Sequence, residues 1–474
     1  MTINKMVKGK VDFDDNIRHW DGFGVNYVET AQTPSYKQYA QDYGGFSILN
    51  EEQRKEILNL IFGDEGLKPG LIKMFLDPFH QQEESDLQSY KIDQDYYNHK
   101  LTTGWMRYFV KEGLKLTRAR EKNLQIFTSL YGPPGWMTEQ KFIRGRDLDP
   151  DYMLECAKYI AAWAQYLIQK ENLPVKYVSL HNEGEDFYRW PENGEFPNWE
   201  EGHDYNMYWP PEQVVEVMIL LRKVLDENDM ENIGVAPGET TNWTRFHEWG
   251  YADEIASNKN ALKVLGLISS HGFIARGSNR WYSDPRSAGI DILRDKRPEL
   301  PAWTTSISWK DMNVDFLMDF QHNIYSAKVN GLIPWACIQH GGRWMGGDPN
   351  PGTAIKVRDD GSFSIEPGYY YYKQLSTAGQ PGMSVARVRS TDVQVGLIAF
   401  GDNGTNNPNS LVVLNRYNEK KELEIKVEGN KNNIFQAQRT SEKEKFKNIG
   451  EYELKNGILF YEAPARSATT FYGK

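Results

Sequence analysis

The chain has 474 residues, with 55 Lys and Arg against 65 Asp and Glu, which gives a formal net charge of −10. This acidic balance, without a long basic run, argues against nucleic acid and anionic membrane surfaces as partners. No apolar stretch reaches the roughly 18 residues that a membrane span needs, and residues 1–10 lack the apolar segment of a signal peptide. We therefore expect a cytoplasmic protein, or a secreted one whose leader has been removed. The sequence gives no indication of an oligomeric state.

Cysteine and aromatic content indicate which kinds of site and ligand to expect. Cys156 and Cys337 are the two cysteines, so the sequence predicts neither a disulfide framework nor a metal site, and we expect no cofactor. Aromatic residues make up 13% of the chain. Such rings stack on flat, partly apolar ligands such as sugars, although any single ring can equally well belong to the core.

From about residue 20 to about residue 376, short apolar segments alternate with segments of helical period. The helices are clearest in Pro150–Lys170 and Pro211–Leu225, where apolar residues repeat on one face behind a proline suited to the first turn. Eight strand-then-helix units in about 350 residues favour a closed (β/α)8 TIM barrel. The predicted strands are Gly22–Tyr27, Leu71–Asp77, Leu124–Tyr131, Lys176–Asn182, Ile233–Glu239, Val264–His271, Ala302–Ser308 and Leu332–Gln339.

The pattern changes after about residue 380, where apolar and polar residues alternate, as in residues 422–427. This alternation predicts an attached antiparallel β-sandwich. The Asn456-Gly457 pair predicts a two-residue hairpin between its flanking strands. Val7–Phe13 precedes the first barrel strand and is expected to join the sandwich. The predicted domains are therefore 20–376 for the barrel, and 1–19 with 377–474 for the sandwich.

Polar and aromatic side chains follow the predicted strands at the ends where barrel active sites lie. An apolar run ends in His181-Asn182-Glu183, which makes Glu183 the first candidate for a proton donor. A carboxylic acid, hydrogen-bonding groups and flat aromatic rings suit the cleavage of a glycosidic bond, so a carbohydrate is the expected substrate. The candidate substrate-binding residues are Asn182, Asp77, Trp136, Glu239, His271, Trp309, Trp335 and His340.

Four motifs in order carry a resemblance that covers nearly the whole chain: Trp20–Val25, Tyr131–Met137, His181-Asn182-Glu183 and Pro464–Phe471. Together they resemble glycoside hydrolase family 30, in the large clan of barrel glycosidases with glutamates after strands four and seven. The resemblance implies retaining hydrolysis of β-linked sugars. In that scheme Asn182 contacts the sugar 2-hydroxyl, and Glu183 acts first as general acid and then as base.

The departure from that family lies at Trp303-Thr304-Thr305-Ser306, which resembles a segment that normally ends in the nucleophilic glutamate. Ser306 therefore occupies the nucleophile position, and a serine is a poor nucleophile without an adjacent base. Three explanations stay open. The glutamate was replaced deliberately in a retaining enzyme, or the protein hydrolyses by another route, or it is a carbohydrate-binding descendant without turnover. In the second case Glu239, Glu185 or Asp311 would hold an attacking water.

Other interpretations of these residues also stay open. Glu239 could be the partner of a lysine or arginine, and His271 could be a hydrogen-bonding strut rather than a base. Glu185 and Asp186 could be solvated charges in a loop. The long insertion Trp190–Trp209 could be a lid, a subsite wall or an oligomer contact.

Overall fold

The computed structural model describes residues 6–85, 89–92, 96–201, 204–274, 286–348 and 350–474. Residues 1–5, which belong to the segment considered above for a signal peptide, lie outside these ranges. Within them, no helix has the length and apolar character needed to cross a bilayer.

An eight-stranded parallel sheet forms the larger part of the molecule and confirms the predicted TIM barrel. Its strand order is β6-β5-β4-β3-β2-β9-β8-β7, and two bridges, Val235 to Leu265 and Thr240 to Ser270, link the two edge strands. Each predicted strand overlaps an observed one. After β1 (Val7–His19), the barrel strands are β2 (Gly22–Asn26), β3 (Leu71–Leu76), β4 (Gln125–Leu130), β5 (Val175–Ser179), β6 (Gly234–Ala236), β7 (Ile268–Ser270), β8 (Ala302–Ile307) and β9 (Gly331–Pro334).

The last predicted barrel strand, Leu332–Gln339, is too long. The chain leaves the barrel wall after Pro334, because the backbone of Ile338 and Gln339 pairs instead with a separate three-stranded sheet. The strands of that small sheet are β10 (Ile338–Gln339), β11 (Ile355–Val357) and β12 (Phe363–Ile365).

The helices follow the predicted crossover pattern. The segment predicted from Pro150 begins as a 3-10 turn, where the Asp149 side chain accepts a hydrogen bond from the Asp151 amide, and continues as an α-helix from Met153. Pro211 is the first residue of the next helix, as predicted. The helices are α1 (Glu51–Phe62), α2 (Gly104–Ala119), α3 (Met153–Gln169), α4 (Pro211–Asp226), α5 (Trp243–Glu248), α6 (Tyr251–Ser257), α7 (Lys259–Val264), α8 (Ala288–Lys296), α9 (Val314–Tyr325) and α10 (Pro367–Ser376).

One layer of apolar side chains fills the barrel interior near the start of its strands. These side chains come from seven of the eight barrel strands or the residue beside them, and they pack as a separate apolar cluster. The members of the layer are Leu71, Phe127, Tyr177, Ala236, Leu267, Trp303 and Ile333.

A second sheet of nine strands, mostly antiparallel, surrounds its own apolar core and contains β1 with the C-terminal strands. One pair departs from the predicted antiparallel arrangement, because β1 runs parallel to β16. The order is β18-β17-β20-β15-β14-β13-β1-β16-β19. The C-terminal strands are β13 (Ser384–Ser390), β14 (Val395–Gly401), β15 (Ser410–Asn415), β16 (Lys421–Glu428), β17 (Ile434–Ser441), β18 (Glu444–Glu453), β19 (Ile458–Ala463) and β20 (Ser467–Gly473).

The predicted hairpin at Asn456-Gly457 is wrong as a strand pairing, although the turn itself is present. Both residues have positive φ, 53° and 76°, as a type I′ turn requires. The flanking strands separate after one bridge, Lys455 to Ile458, and β18 pairs with β17 while β19 pairs with β16. The turn is set by local sequence, whereas the partners are set by the rest of the sheet.

Candidate active site

A cavity of about 400 Å³ opens at the carboxyl ends of the barrel strands. Five of the predicted site residues line it: Asn182, Glu183, His271, Ser306 and Trp335. The other lining residues are Arg189, Phe196, Glu201, Asp204, Asn206, Phe273, Trp344, Asp348 and Asn350. The wall is therefore both charged and aromatic.

Five predicted substrate-binding residues do not line this cavity: Asp77, Trp136, Trp309, His340 and Glu239, the last of which pairs with Lys73. Each has another structural partner, because a position near a strand end does not fix where the side chain points. Asp77 accepts a hydrogen bond from Thr102 at 2.5 Å, and His340 lies 2.9 Å from the Asp359 carboxylate. Trp309 is fully buried against Phe316 and Tyr372, and Trp136 packs edge-on against Tyr152.

The backbone at Glu183 is strained. Its φ of 45° lies in the left-handed region, which costs free energy for a residue with a side chain. Cross-strand bonds hold this conformation: the Glu183 amide donates to the Glu239 carbonyl at 2.7 Å, and the Glu239 amide donates to the His181 carbonyl at 2.9 Å. The strain therefore lies at the residue that the sequence singles out for chemistry.

The Glu183 carboxylate has two partners in the cavity wall. His271 Nδ1 lies 2.8 Å from one of its oxygens and Arg189 donates to the other at 3.0 Å. Burial alone would raise the pKa of Glu183, but the hydrogen bond and charge of His271, together with Arg189, outweigh it and lower the pKa well below its usual range. These contacts favour the ionised carboxylate over the protonated acid.

A buried ion pair in contact with Ser306 agrees with the interpretation of Glu239 as the partner of a lysine or arginine, although Lys73 itself was not predicted. We refer to Lys73, Glu239 and Ser306 together as the cavity floor. Lys73 Nζ lies 2.6 Å from the Glu239 carboxylate and donates to Ser306 Oγ at 2.9 Å, and the side chains of Lys73 and Glu239 are fully buried. Burial lowers the pKa of Lys73, against the opposing effect of Glu239. A lone lysine inside the apolar strand Leu71–Leu76 was the available sequence signal, because such a charge is rarely buried without a partner.

An irregular register turns Ser306 inward. The pairing of β8 with β9 shifts between Thr304 and Ile307, and Thr304 bonds Asn323 on α9 while Ser306 contacts Lys73 inside the barrel. Side chains of a regular strand point alternately to its two faces, so Thr304 and Ser306 would point to the same face. The irregular register instead turns Ser306 to the face opposite Thr304. The Ser306 hydroxyl donates to the Thr305 carbonyl at 2.5 Å. Its proton is therefore directed at a carbonyl and not at a base.

The insertion Trp190–Trp209 supplies one wall of the cavity, in agreement with the subsite-wall interpretation. Asn182 Nδ2 donates to the Asp204 carboxyl at 3.2 Å and lies 2.9 Å from the Asn206 side-chain amide. Burial and then the negative charge of Glu183 raise the pKa of Asp204 to about 7, against the opposing charges of Arg189 and other cations. Sequence reasoning missed Asp204, because nothing within the insertion indicates which of its carboxyls faces the barrel.

Several buried polar atoms around the cavity have no hydrogen-bond partner among the described residues. Buried polar atoms are normally paired, so a group of unpaired ones at a cavity indicates a place for a polar ligand or for water. They are Asn182 Oδ1, Tyr131 Oη, Glu239 Oε2, His271 Nε2, Trp335 Nε1, Trp344 Nε1 and Asp348 Oδ2. Among the described residues, no group of three His, Cys, Asp or Glu side chains is placed to hold a metal ion.

Solved structures resemble the whole chain. A family 30 endoxylanase from Clostridium papyrosolvens matches with a TM-score of 0.66 at 15% identity, over 98% of this chain and 100% of that one. The chain has the fold of glycoside hydrolase family 30 enzymes. A family 30 subfamily 8 xylanase from Clostridium acetobutylicum gives 0.69 at 15% identity, over 98% of each chain. An endo-β-1,6-glucanase gives 0.69 at 15% identity, over 98% and 94%. No family model and no curated protein matches the sequence.

Proposed function

We propose that this protein is a glycoside hydrolase that cleaves a β-linked glycan or glycoside by carboxyl acid/base chemistry centred on Glu183. The observation that carries the proposal is the placement of Glu183 and Ser306 in the wall of one cavity at the carboxyl end of a family 30-type barrel. Carboxyl groups at this end of the strands suit the protonation of a leaving oxygen.

The proposed reaction does not pass through an ester on Ser306. The serine hydroxyl contacts the Lys73 ammonium and the Thr305 carbonyl, and neither can remove its proton during attack on a sugar. Lys73 is itself paired with Glu239. We therefore propose direct attack by water, which uses the room left by a side chain roughly two bonds shorter than glutamate.

The expected substrate is a β-linked polysaccharide fragment. The similar solved structures include xylanases and an endo-β-1,6-glucanase, so the glycans that these enzymes cleave are the first to test. The indole groups of Trp335 and Trp344 lie in the wall, each with a buried N–H that has no partner among the described residues. An indole offers a sugar both a flat apolar face and a hydrogen-bond donor.

The test is hydrolysis of aryl β-xylosides, aryl β-glucosides and β-1,6-linked glucan, with and without azide or formate. We expect release of the aryl group without added anion, and its loss in Glu183→Gln. Glu192→Gln, the same change at an exposed glutamate in the insertion Trp190–Trp209, is the control. Turnover that appears only with azide would mean that the chain lacks a nucleophile and has no route of its own, against this proposal.

The second candidate is a carbohydrate-binding protein without turnover. The ion pair of Glu183 with Arg189 favours it, because a carboxylate held in an ion pair can stabilise the cavity wall without taking part in a reaction. Isothermal titration with xylan and β-1,6-glucan oligosaccharides distinguishes the two. Saturable binding without sugar release, with or without azide, would support the binding protein.

A further inference from the structure

We propose that Asp204 donates the proton to the leaving oxygen and that Glu183 acts as the ionised base. This assignment rests on the proposed hydrolase function and deepens it. It also reverses the role that the sequence predicts for Glu183.

Asp204 and Glu183 reach the cavity from different elements of the fold. Asp204 and Glu183 both line the cavity, and Asn182 connects them, since it precedes Glu183 in the chain and donates to the Asp204 carboxyl at 3.2 Å. Asp204 comes from the insertion wall and Glu183 from the end of β5. A sugar in this cavity therefore meets two carboxyl groups that belong to different walls.

The two carboxyl groups differ in the charged groups that surround them. Glu183 faces Arg189 at 3.0 Å and His271 at 2.8 Å, and both contacts favour the charged carboxylate. Asp204 shares the cavity with that negative charge, and two nearby like charges disfavour a second ionisation.

These surroundings determine which of the two carboxyl groups holds a proton. Arg189, Arg144 and Lys73 act on Asp204 in the opposite sense to Glu183, yet burial and the glutamate charge prevail and raise its pKa to about 7. The pKa of Glu183 is lowered. When two carboxyls in one site are pushed apart in this way, the group with the raised pKa is the acid and the other is the base.

The reaction then balances without a covalent intermediate. The Asp204 O–H bond breaks and its proton goes to the glycosidic oxygen as the bond from that oxygen to the anomeric carbon breaks. A water oxygen bonds to the anomeric carbon and gives one proton to the Glu183 carboxylate. The enzyme returns to its starting state when that proton passes back to Asp204, directly or through water.

The experiment compares Asp204→Asn with Glu183→Gln on aryl β-glycosides that differ only in the leaving group. A dinitrophenolate leaves without protonation, whereas a phenolate needs an acid. We expect Asp204→Asn to lose about 10²–10⁴-fold in kcat on the phenyl glycoside but less than about tenfold on the dinitrophenyl glycoside. Glu183→Gln is expected to lose activity on both. Asp204→Glu should recover part of the loss, and Glu192→Gln is the matched control.

A second measurement locates the proton without turnover. An aspartate with a raised pKa keeps a proton in the folded state that the unfolded chain has released, so this group lowers stability as pH rises from about 4 to about 7. Glu29 and Asp348 also have raised pKa values but are common to the wild type and Asp204→Asn, so in urea unfolding we expect the wild type to lose more stability across this window than Asp204→Asn does. The relative stability of the two proteins should therefore change across that pH window.

The outcomes separate the two proposals. Absence of sugar release by the wild type on every substrate overturns the hydrolase function. Wild-type hydrolysis with equal losses on phenyl and dinitrophenyl glycosides in Asp204→Asn overturns only the acid assignment. A constant stability difference between pH 4 and 7 overturns it as well.

Discussion

Two ion-pair clusters in this molecule differ in whether both carboxylate oxygens have a hydrogen-bond partner. At the cavity floor, Lys73 and Glu239 are fully buried, and Glu239 Oε2 has no hydrogen-bond partner among the described residues. At the seam between barrel and nine-stranded sheet, both oxygens of Asp315 on α9 are bonded by arginines, namely Arg416 and Arg466. The seam pair is partly exposed, with 29% of the Asp315 side chain accessible.

The difference indicates why each cluster is present. Burying two charges is expensive, and replacing such a pair by apolar residues often leaves stability unchanged or higher. A fully buried pair with an unsatisfied oxygen beside a cavity is therefore poorly explained by stability alone. The Asp315 cluster connects the barrel helix α9 to the nine-stranded sheet with satisfied, partly solvated hydrogen bonds, which is a structural role. We expect substitutions at the floor to affect turnover and those at the seam to affect stability only.

The largest effect is expected from Lys73→Met. Removal of the ammonium leaves the buried Glu239 carboxylate without its partner, which costs about 3–5 kcal/mol when one member of such a pair is lost. Turnover should fall together with stability, because the Glu239 carboxylate left without its partner lies 3.6 Å from His271 Nε2, and His271 is the partner of Glu183. Urea unfolding at constant pH and kcat on an aryl β-glycoside measure the two effects.

The double variant Lys73→Met with Glu239→Leu is the control for this prediction. It removes both charges, so we expect it to recover most of the lost stability while turnover stays low. Recovery of turnover along with stability would mean that the floor pair serves the fold only, and the contrast between the two clusters would disappear.

A smaller effect is expected from Asp315→Ala. Hydrogen bonds to a partly exposed carboxylate contribute modestly, so we expect a loss of about 1–2 kcal/mol in the free energy of unfolding and no change in kcat. Burial would raise the pKa of Asp315, but bonds from Arg466 and Arg416 lower it below its usual value. The stabilisation is therefore present above about pH 4 and is lost as pH falls further.

The wild type and Asp315→Ala should accordingly converge in stability toward pH 3, in urea unfolding followed as a function of pH. Arg387→Ala, at the exposed pair with Asp15 in the same sheet, is a matched control with a smaller expected loss. A fall in kcat for Asp315→Ala would contradict the separation of the seam from the active site.

The barrel was predictable because its signal is local and repeated. Buried parallel strands appear as apolar runs between amphipathic helices, and Leu71–Leu76 follows this pattern apart from Lys73. The pairing of strands was not predictable in the same way, because it depends on contacts distant in sequence. Asn456 and Gly457 make the predicted turn, but the strands on either side of it pair with other strands.

The site was predicted in part for the same reason. Glu183, Asn182 and His271 follow buried strands and line the cavity, so strand position sufficed to place them there. Asp204 lies in an insertion whose path depends on tertiary packing. Trp309 also follows a strand, but packing against Phe316 and Tyr372 turns it into the core. Residue type and proximity to a strand end cannot separate such cases.

The smallest effect is expected from Ser306→Ala, and it tests the proposed mechanism most directly. The substitution removes one acceptor from Lys73 and one donor to the Thr305 carbonyl, while the ion pair of Lys73 with Glu239 stays intact. We expect a loss of about 0.5–1.5 kcal/mol in the free energy of unfolding. Because the hydroxyl has no base beside it, kcat should stay within about threefold of the wild type.

The matched control is Ser308→Ala, which removes a buried hydroxyl that accepts a hydrogen bond from the Lys310 amide two residues along the chain. It should cost a similar amount of stability and also leave kcat unchanged. A hundredfold fall in kcat for Ser306→Ala, with Ser308→Ala unaffected, would show that the serine takes part in the reaction. In that case the floor would contain a nucleophile, Lys73 would have to act as its base in a neutral form, and the separate acid and base roles of Asp204 and Glu183 would lose their physical basis.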